Sequence, residues 1–246
     1  MKKDPNFIYG KNPVLQALRG NKVIEKVIIQ NTLRGELEKS VRKLCKEKEV
    51  PLAKVPSERL DYLTYKQNHQ GVAAYISPIH FVELGDVISQ SFAQGKNPSI
   101  LILEGISDVR NFGAIARSAY VFGLDAIVFP MKHSARINED AVKISAGALL
   151  EIPVCRERNM DAILDICVEN GLKIIGTDLR TDNLLEGNIL GEPCAVIMGS
   201  EDRGITPEAR KRTDVLVKIP QQNGFDSLNV SVAAGIICYE INRQRK

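Results

Sequence analysis

The sequence predicts an α/β protein in two parts: a small α/β unit over residues 1–77 and a larger parallel-sheet domain over residues 99–246, joined at 78–98. Three observations predict it. The first part alternates short β-branched runs with a stretch of helical period. After Pro98, unbroken apolar runs alternate with helical stretches. Between the two, Pro78, Gly85, Gly95 and Pro98 punctuate a segment with no sustained period. With 246 residues, 44% of them hydrophobic, the chain can bury one large core or two unequal ones without disulfides.

In the first part, residues 23–30 read as a β-branched strand and 35–48 have helical spacing. Residues 50–55 are extended between prolines, and 71–76 form another strand. In the second part the apolar runs fall at 100–103, 126–129, 173–176, 195–198 and 215–219. Such runs between helices indicate a parallel sheet covered on both faces, and in such sheets ligands bind beyond the carboxyl ends of the strands. The polar and glycine-rich residues lie in those places: Glu104 and Gly105 with Asp108 and Asn111, then Gly176, Thr177 and Asp178, then Gly199, Ser200 and Glu201, then the loop 220–227. Four loops are expected to converge on one pocket. Neither GxGxxG after the first strand nor GxxxxGK[ST] occurs, which disfavours a dinucleotide fingerprint or a Walker loop.

The five cysteines form no CxxC pair, and only three histidines are scattered among them, so no zinc or other metal site is expected. Reduced thiols fit a cytoplasmic setting. No run approaches the ~20 apolar residues of a membrane span, and the lysines of the N-terminus precede no apolar stretch, so neither a membrane nor export is expected. The net charge of +3 hides an asymmetry: residues 1–98 carry 16 − 10 = +6 and residues 99–246 carry 17 − 20 = −3. A basic half beside an acidic half suggests that polyanion capture and chemistry are separated along the chain. A solvated, lysine-rich helix over 36–49 accounts for part of the excess.

Three blocks carry candidate chemistry. The helix over 114–122 is apolar almost all round yet holds Arg117, whose burial would demand an anion or several acceptors; Asp108 or Glu104 would be structural partners. Asn111 just before it has the character of a helix cap. The second block runs from Val196 through Gly199 and Glu201 to Gly204. Its strand-ending glycine lets a flat ligand approach the backbone, and Glu201 offers an acceptor. The third passes from Lys218, Ile219 and Pro220 to Ser227, Leu228, Asn229 and Val230, with Ser227 or Asn229 as an ordinary cap. The helix that follows is apolar around most of its circumference and wants burial on two sides, which a homodimer would provide.

These blocks, in this order, resemble the SpoU/TrmH family of RNA 2′-O-ribose methyltransferases in the SPOUT superfamily. Asp108-Val-Arg-Asn111-Phe-Gly113-Ala-Ile-Ala-Arg117 is similar to the family's first motif, the Gly199–Glu201 loop to its second, and Ser227-Leu-Asn229-Val-Ser231 to its third. Residues 7–18 and 69–73 resemble the opening and close of the RNA-binding domain of the 23S ribosomal RNA guanosine-2′-O-methyltransferase subgroup. The resemblance implies a deep trefoil knot in the C-terminal domain and a first domain resembling a ribosomal protein. It implies S-adenosylmethionine as methyl donor, no metal, 23S ribosomal RNA or a large-subunit precursor as substrate, and a homodimer through the C-terminal helix.

By position, the resemblance implies that Thr177, Gly199, Ile219, Leu228 and Asn229 hold the cofactor, and that Arg117, Asn111, Glu201, Ser227 and Asn229 form the catalytic group. Arginine stays protonated at any pH below ~12, so Arg117 is expected to stabilise the developing alkoxide rather than act as a literal base. The loop 221–226 lacks the methionine and small residues of the family pattern. The motifs do not encode the target. A transfer RNA 2′-O-methyltransferase, an antibiotic-resistance methyltransferase and a catalytically silent ribosome-assembly factor are the alternatives.

Overall fold

The structure is a computed structural model that describes residues 6–20, 22–132, 134–135, 137–222 and 228–245. It divides into two units, Met1–His80 with Ile137–Glu139, and Phe81–Arg136 with Asp140–Lys246.

The first unit runs β1 (Phe7–Tyr9), α1 (Lys11–Arg19), β2 (Ile24–Gln30), α2 (Glu36–Glu47), β3 (Leu52–Val55), α3 (Ser57–Leu63) and β4 (Val72–Ile76). The β-branched run of β2 is explained by burial on both faces. Period two sends Val27 and Ile29 against Val14, Leu18 and Val41, while Ile28 meets Leu60 and Ala73 on the other side. The four strands lie in the order β1-β4-β2-β3, with β2 parallel to β3 and antiparallel to β4. The limits of β2, α2, β3 and β4 fall within two residues of those read from the sequence, which did not reveal β1, α1 or α3.

One expectation fails at the join. Residues 78–98 are not an irregular linker, because 84–93 form helix α4 (Leu84–Ala93), whose Leu84 and Ile88 are buried in the core of the second unit. The third inward position is Ser91, a polar residue that interrupts the apolar period. Its hydroxyl is satisfied by Asp125 at 3.1 Å.

The second unit continues with β5 (Ser99–Leu103), α5 (Val109–Val121), β6 (Ala126–Pro130), α6 (Glu139–Ile144), β7 (Val154–Glu157), α7 (Met160–Glu169), β8 (Lys173–Thr177), β9 (Cys194–Met198), α8 (Pro207–Lys211), β10 (Val215–Val217) and α9 (Val230–Gln244). Its six strands are all parallel, in the order β10-β8-β9-β5-β6-β7. Strands β5, β6 and β9 are buried at every residue, which is why they appear in the sequence as unbroken apolar runs. The sequence reading found five strands; β7 escaped it because Arg156 and Glu157 make half of that strand polar.

Leu84 and Ile88 of α4 and Ile163 and Leu164 of α7 pack on Ile100, Ile102, Val128 and Ile197 of the sheet. Helices α5 and α9 pack on each other, with Phe122 and Tyr239 in edge contact at 5.8 Å. The end of α9 is tied down: the Arg245 guanidinium donates to the carbonyls of Leu190 at 2.9 Å, Glu192 at 2.8 Å and Pro98 at 3.1 Å. All five cysteines are buried free thiols. Burial pushes Cys45 up to about 11 and Cys155, Cys167 and Cys238 up to about 12, so these thiols are packing groups rather than nucleophiles.

Candidate active site

The site grows from the carboxyl ends of β5, β8, β9 and β10. At the end of β9 the chain turns back on itself, with Gly204 N–H donating to the Ser200 carbonyl at 2.8 Å and Gly204 in the left-handed region at φ 66°. A Cβ on Gly199 would stand 2.0 Å from the Gly204 carbonyl carbon. Glycine is therefore required here by the loop's own backbone, whatever ligand approaches it. Glu104 at the end of β5 is buried; its carboxylate accepts from Thr206 N at 2.9 Å and Thr206 Oγ1 at 2.8 Å, which holds the start of α8.

Three of the residues expected to be catalytic meet in one hydrogen-bonded group. The Asn229 amide donates to Glu201 Oε1 at 2.6 Å and to Asn111 Oδ1 at 3.2 Å, and the Asn111 amide reaches Glu201 Oε1 at 3.4 Å. The same Glu201 oxygen accepts from Val230 N at 2.9 Å. Asn229 is the N-cap of α9, its side chain accepting from Ser231 N at 3.0 Å, as a cap reading of this position expects. Asn111 is not a cap. Helix α5 begins two residues earlier at Val109, capped by Asp108, whose carboxylate accepts from Arg110 N at 2.7 Å and so frees Asn111 to face Glu201.

Arg117 is not buried, contrary to the sequence reading. It is exposed on α5 and forms no hydrogen bond or ion pair with a described residue. The structural partners considered for it are occupied: Asp108 pairs with Arg110 at 2.9 Å and Glu104 with Thr206. Ser227 lies outside the described residues. Gly113, the glycine of the first motif, faces α6, where a Cβ would come within 2.8 Å of the Ala141 carbonyl oxygen.

Beside the hydrogen-bonded group lies a cavity of about 430 Å³ whose lining includes Thr177, Gly199, Ile219 and Leu228 with Met198 and Val217. These four are the residues expected to hold the cofactor together with Asn229, which stands in the adjoining group rather than in the lining. The Thr177 hydroxyl is committed to the Ile197 carbonyl at 2.9 Å.

Sequence reading missed one charged assembly on the rim. The Asp178 side chain is 5% exposed and accepts from Arg180 N at 2.8 Å, Arg180 Nε at 3.0 Å and the Arg210 guanidinium. Burial pushes its carboxyl up, but the Arg180 hydrogen bonds and the charges of Arg180 and Arg210 outweigh it, leaving Asp178 below the usual range. No signal in the sequence links Asp178 to Arg210.

Both parts of the chain match models of known protein families. The family model described as "SpoU rRNA Methylase family" matches residues 98–239. The chain belongs to that family. A second model, "RNA 2′-O ribose methyltransferase substrate binding", matches residues 7–82 of this SpoU family member.

Among curated relatives, a Synechocystis protein named as an uncharacterized tRNA/rRNA methyltransferase is 36% identical over 98% of the chain, and the chain spans 63% of that protein's length. A Bacillus subtilis protein named for TrmH family tRNA/rRNA methyltransferases is 32% identical, over 100% of the chain and 98% of its own length. Among solved structures, an AdoMet-bound rRNA methyltransferase from Sinorhizobium meliloti shares the fold with a TM-score of 0.61 at 21% identity, over 96% of this chain and 86% of the other.

Proposed function

We propose that this SpoU family protein transfers a methyl group from S-adenosylmethionine to a ribose 2′-hydroxyl of RNA. The observation that carries the reading is the joining of Asn111, Glu201 and Asn229 beside a cavity lined by Thr177, Gly199, Ile219 and Leu228. A cavity of about 430 Å³ falls within the range of small-molecule sites, and a lining that includes apolar Met198, Val217, Ile219 and Leu228 suits an adenosine. The cofactor, when bound, supplies an already activated methyl on its sulfonium. What remains for the protein is to align the hydroxyl oxygen and to stabilise the charge left as its proton departs.

Arg117 suits the second task. Its guanidinium is exposed and uncommitted among the described residues, so it can meet an alkoxide or an RNA phosphate without first breaking an ion pair. Glu201, held by Asn229 and the start of α9, orients the group. Ser227 joins it by position in the motif.

The finer target in this reading is a guanosine of 23S ribosomal RNA, supported by the substrate-binding model over residues 7–82 and by the motifs at 7–18 and 69–73. The second reading is a transfer RNA target, which the names of the relatives equally accommodate. A threaded C-terminus and a homodimer belong to the reading as well. Anchoring of Arg245 to carbonyls of 190–192 and of Pro98 supports the first. Support for the second comes from Val232, Ile236 and Tyr239 of α9, which are 52%, 37% and 53% exposed beside exposed Val121 of α5. The setting is cytoplasmic, where ribosomal and transfer RNA reside.

The test is transfer of labelled methyl from S-adenosylmethionine to unmodified ribosomal RNA and, separately, to bulk transfer RNA. Label recovered as 2′-O-methylguanosine in large-subunit RNA is the expected result; label in transfer RNA alone overturns the target, and none in either overturns the activity.

A further inference from the structure

The positive charge of the first unit is distributed unevenly once its ion pairs are drawn. On α2 two of the cations have carboxylate partners: Arg42 meets Glu38 at 3.1 Å, as does Lys54 of β3, and Lys43 meets Glu47 at 3.9 Å. Lys48 donates to the Gly20 carbonyl at 2.6 Å. Residues 36–49 carry five cations and four carboxylates, so the lysine-rich helix is close to neutral overall.

The opposite holds where β1 and β2 end and β4 begins. Three segments, 10–12, 31–34 and 64–71, meet there, and they contain Lys11, Arg34 and Lys66 with no carboxylate among them. Hydrogen bonds fasten them together. Lys11 N donates to Gln70 Oε1 at 2.8 Å, Gly10 N to the Val72 carbonyl at 3.0 Å, and Gln30 N to the Gly71 carbonyl at 2.9 Å. The other exposed side chains of these segments are amides and hydroxyls, including Asn31, Thr32, Gln67 and Asn68.

Two exposed tyrosines lie on α3 and in the segment that follows it. Tyr62 and Tyr65 are 61% and 45% exposed, and the Arg59 guanidinium lies 5.6 Å from the Tyr62 ring centroid. Tyr65 and Lys66 are held in the left-handed region at φ 55° and 57°, a conformation that side chains other than glycine adopt at a cost. The loop is built to keep it: Lys66 N donates to the Asp61 carbonyl at 2.7 Å, and Thr64 Oγ1 to the Leu60 carbonyl at 2.8 Å. His69 is buried with Nδ1 accepting from Gly71 N at 2.9 Å, which leaves Nε2–H to donate to the half-exposed Asp61 carboxylate at 3.2 Å. Exposed aromatic rings on a rim that carries Lys11, Arg34 and Lys66 match the chemistry of unpaired bases and their phosphates.

We infer that this end of the four-stranded sheet holds an unpaired segment of the substrate RNA, with Tyr62 and Tyr65 stacking on bases and Lys11, Arg34 and Lys66 meeting phosphates. The inference rests on the reading that the protein acts on RNA. Its test uses the full chain, with unmodified 23S ribosomal RNA transcript as probe in equilibrium binding, and cofactor binding followed separately by calorimetry.

A Tyr62→Ala/Tyr65→Ala variant is expected to lose about five- to hundred-fold in RNA affinity for each base unstacked, and Tyr62→Phe/Tyr65→Phe to keep most of it. Cofactor affinity stays unchanged in both. Replacing Lys11, Arg34 and Lys66 with alanine is expected to flatten the slope of log affinity against log salt by about 2. Equal RNA affinity for the wild type and the double-alanine variant, with unchanged salt slope in the triple variant, overturns the inference. The comparison of affinities decides it whether or not methyl is transferred. A wild type that binds the transcript through these residues yet methylates no RNA instead sinks the catalytic reading.

Discussion

The Glu201 carboxylate accepts a hydrogen bond from the backbone N–H of Val230 at 2.9 Å, so a loop at the end of one strand caps the first turn of the C-terminal helix. An acidic group at a helix N-terminus satisfies an orphan donor and meets the positive end of the helix dipole. The residue assigned a chemical role therefore also holds the geometry of the third motif. Glu201→Ala is expected to cost about 1 kcal/mol in unfolding free energy. Glu201→Gln, which keeps an oxygen for Val230, should cost only a few tenths yet lower turnover about 10- to 100-fold. Thermal unfolding and single-turnover methyl transfer separate the two effects, and equal losses of stability in both variants would contradict the cap.

Arg117 should behave in the opposite way. Because it is exposed and unpaired among the described residues, Arg117→Ala is expected to change stability by less than about 0.5 kcal/mol. Cofactor affinity is expected to stay, while turnover falls about 100- to 1000-fold. Unchanged turnover removes Arg117 from the reaction.

At Gly199 the steric argument is severe. A Cβ 2.0 Å from the Gly204 backbone cannot be absorbed by a side-chain rotation. Gly199→Ala is expected to cost about 2 kcal/mol or more and to abolish cofactor binding, since the loop 199–204 lines the cavity. Calorimetric titration of S-adenosylmethionine checks it; wild-type affinity would show that the loop refolds freely.

Asp178 links the cavity rim to acid stability. Its folded-state pKa lies below the unfolded value of about 3.9, so its contribution is fully present above that pH and is lost as pH falls through the lowered folded value. Asp178→Asn is expected to lower stability at pH 6 and to flatten the stability–pH curve below pH ~4. Urea unfolding of both proteins between pH 3 and 6 measures the difference, and parallel curves would deny the carboxylate that role.

Val232, Ile236 and Tyr239 leave an apolar strip of α9 in solvent within one protomer. Ile236→Asp is expected to shift a dimer to monomer in light scattering at micromolar concentration, with the unfolding midpoint of the protomer little changed. A wild type that is already monomeric refutes the proposed interface.

How much could be read without coordinates varied with burial. Strands β5, β6 and β9 were legible because a strand covered on both faces admits only apolar residues. Helix α4 was not, since Gly85 opens it and Ser91 takes an inward position. Arg117 was misjudged because Ala114, Ala116 and Ala119 surround it in sequence, and alanine is indifferent to whether its side of a helix faces protein or water. The Asp178–Arg210 contact was illegible for a different reason. It spans 32 residues and exists only because β8 and β10 pair in parallel, with Val217 beside Thr177.

The sequence by itself determined the alternation of buried strands and helices, the placement of polar loops at strand ends, and the three motifs that name the family. Those are local properties, written in period and residue type. Only the tertiary structure decided that Asn111, Glu201 and Asn229 share one hydrogen-bonded group, that Arg117 stands exposed and unpaired among the described residues, and that segments 10–12, 31–34 and 64–71 meet at one end of the first sheet. Residues 118 positions apart meet because sheet order and helix packing bring them together, and a linear pattern does not encode those distances.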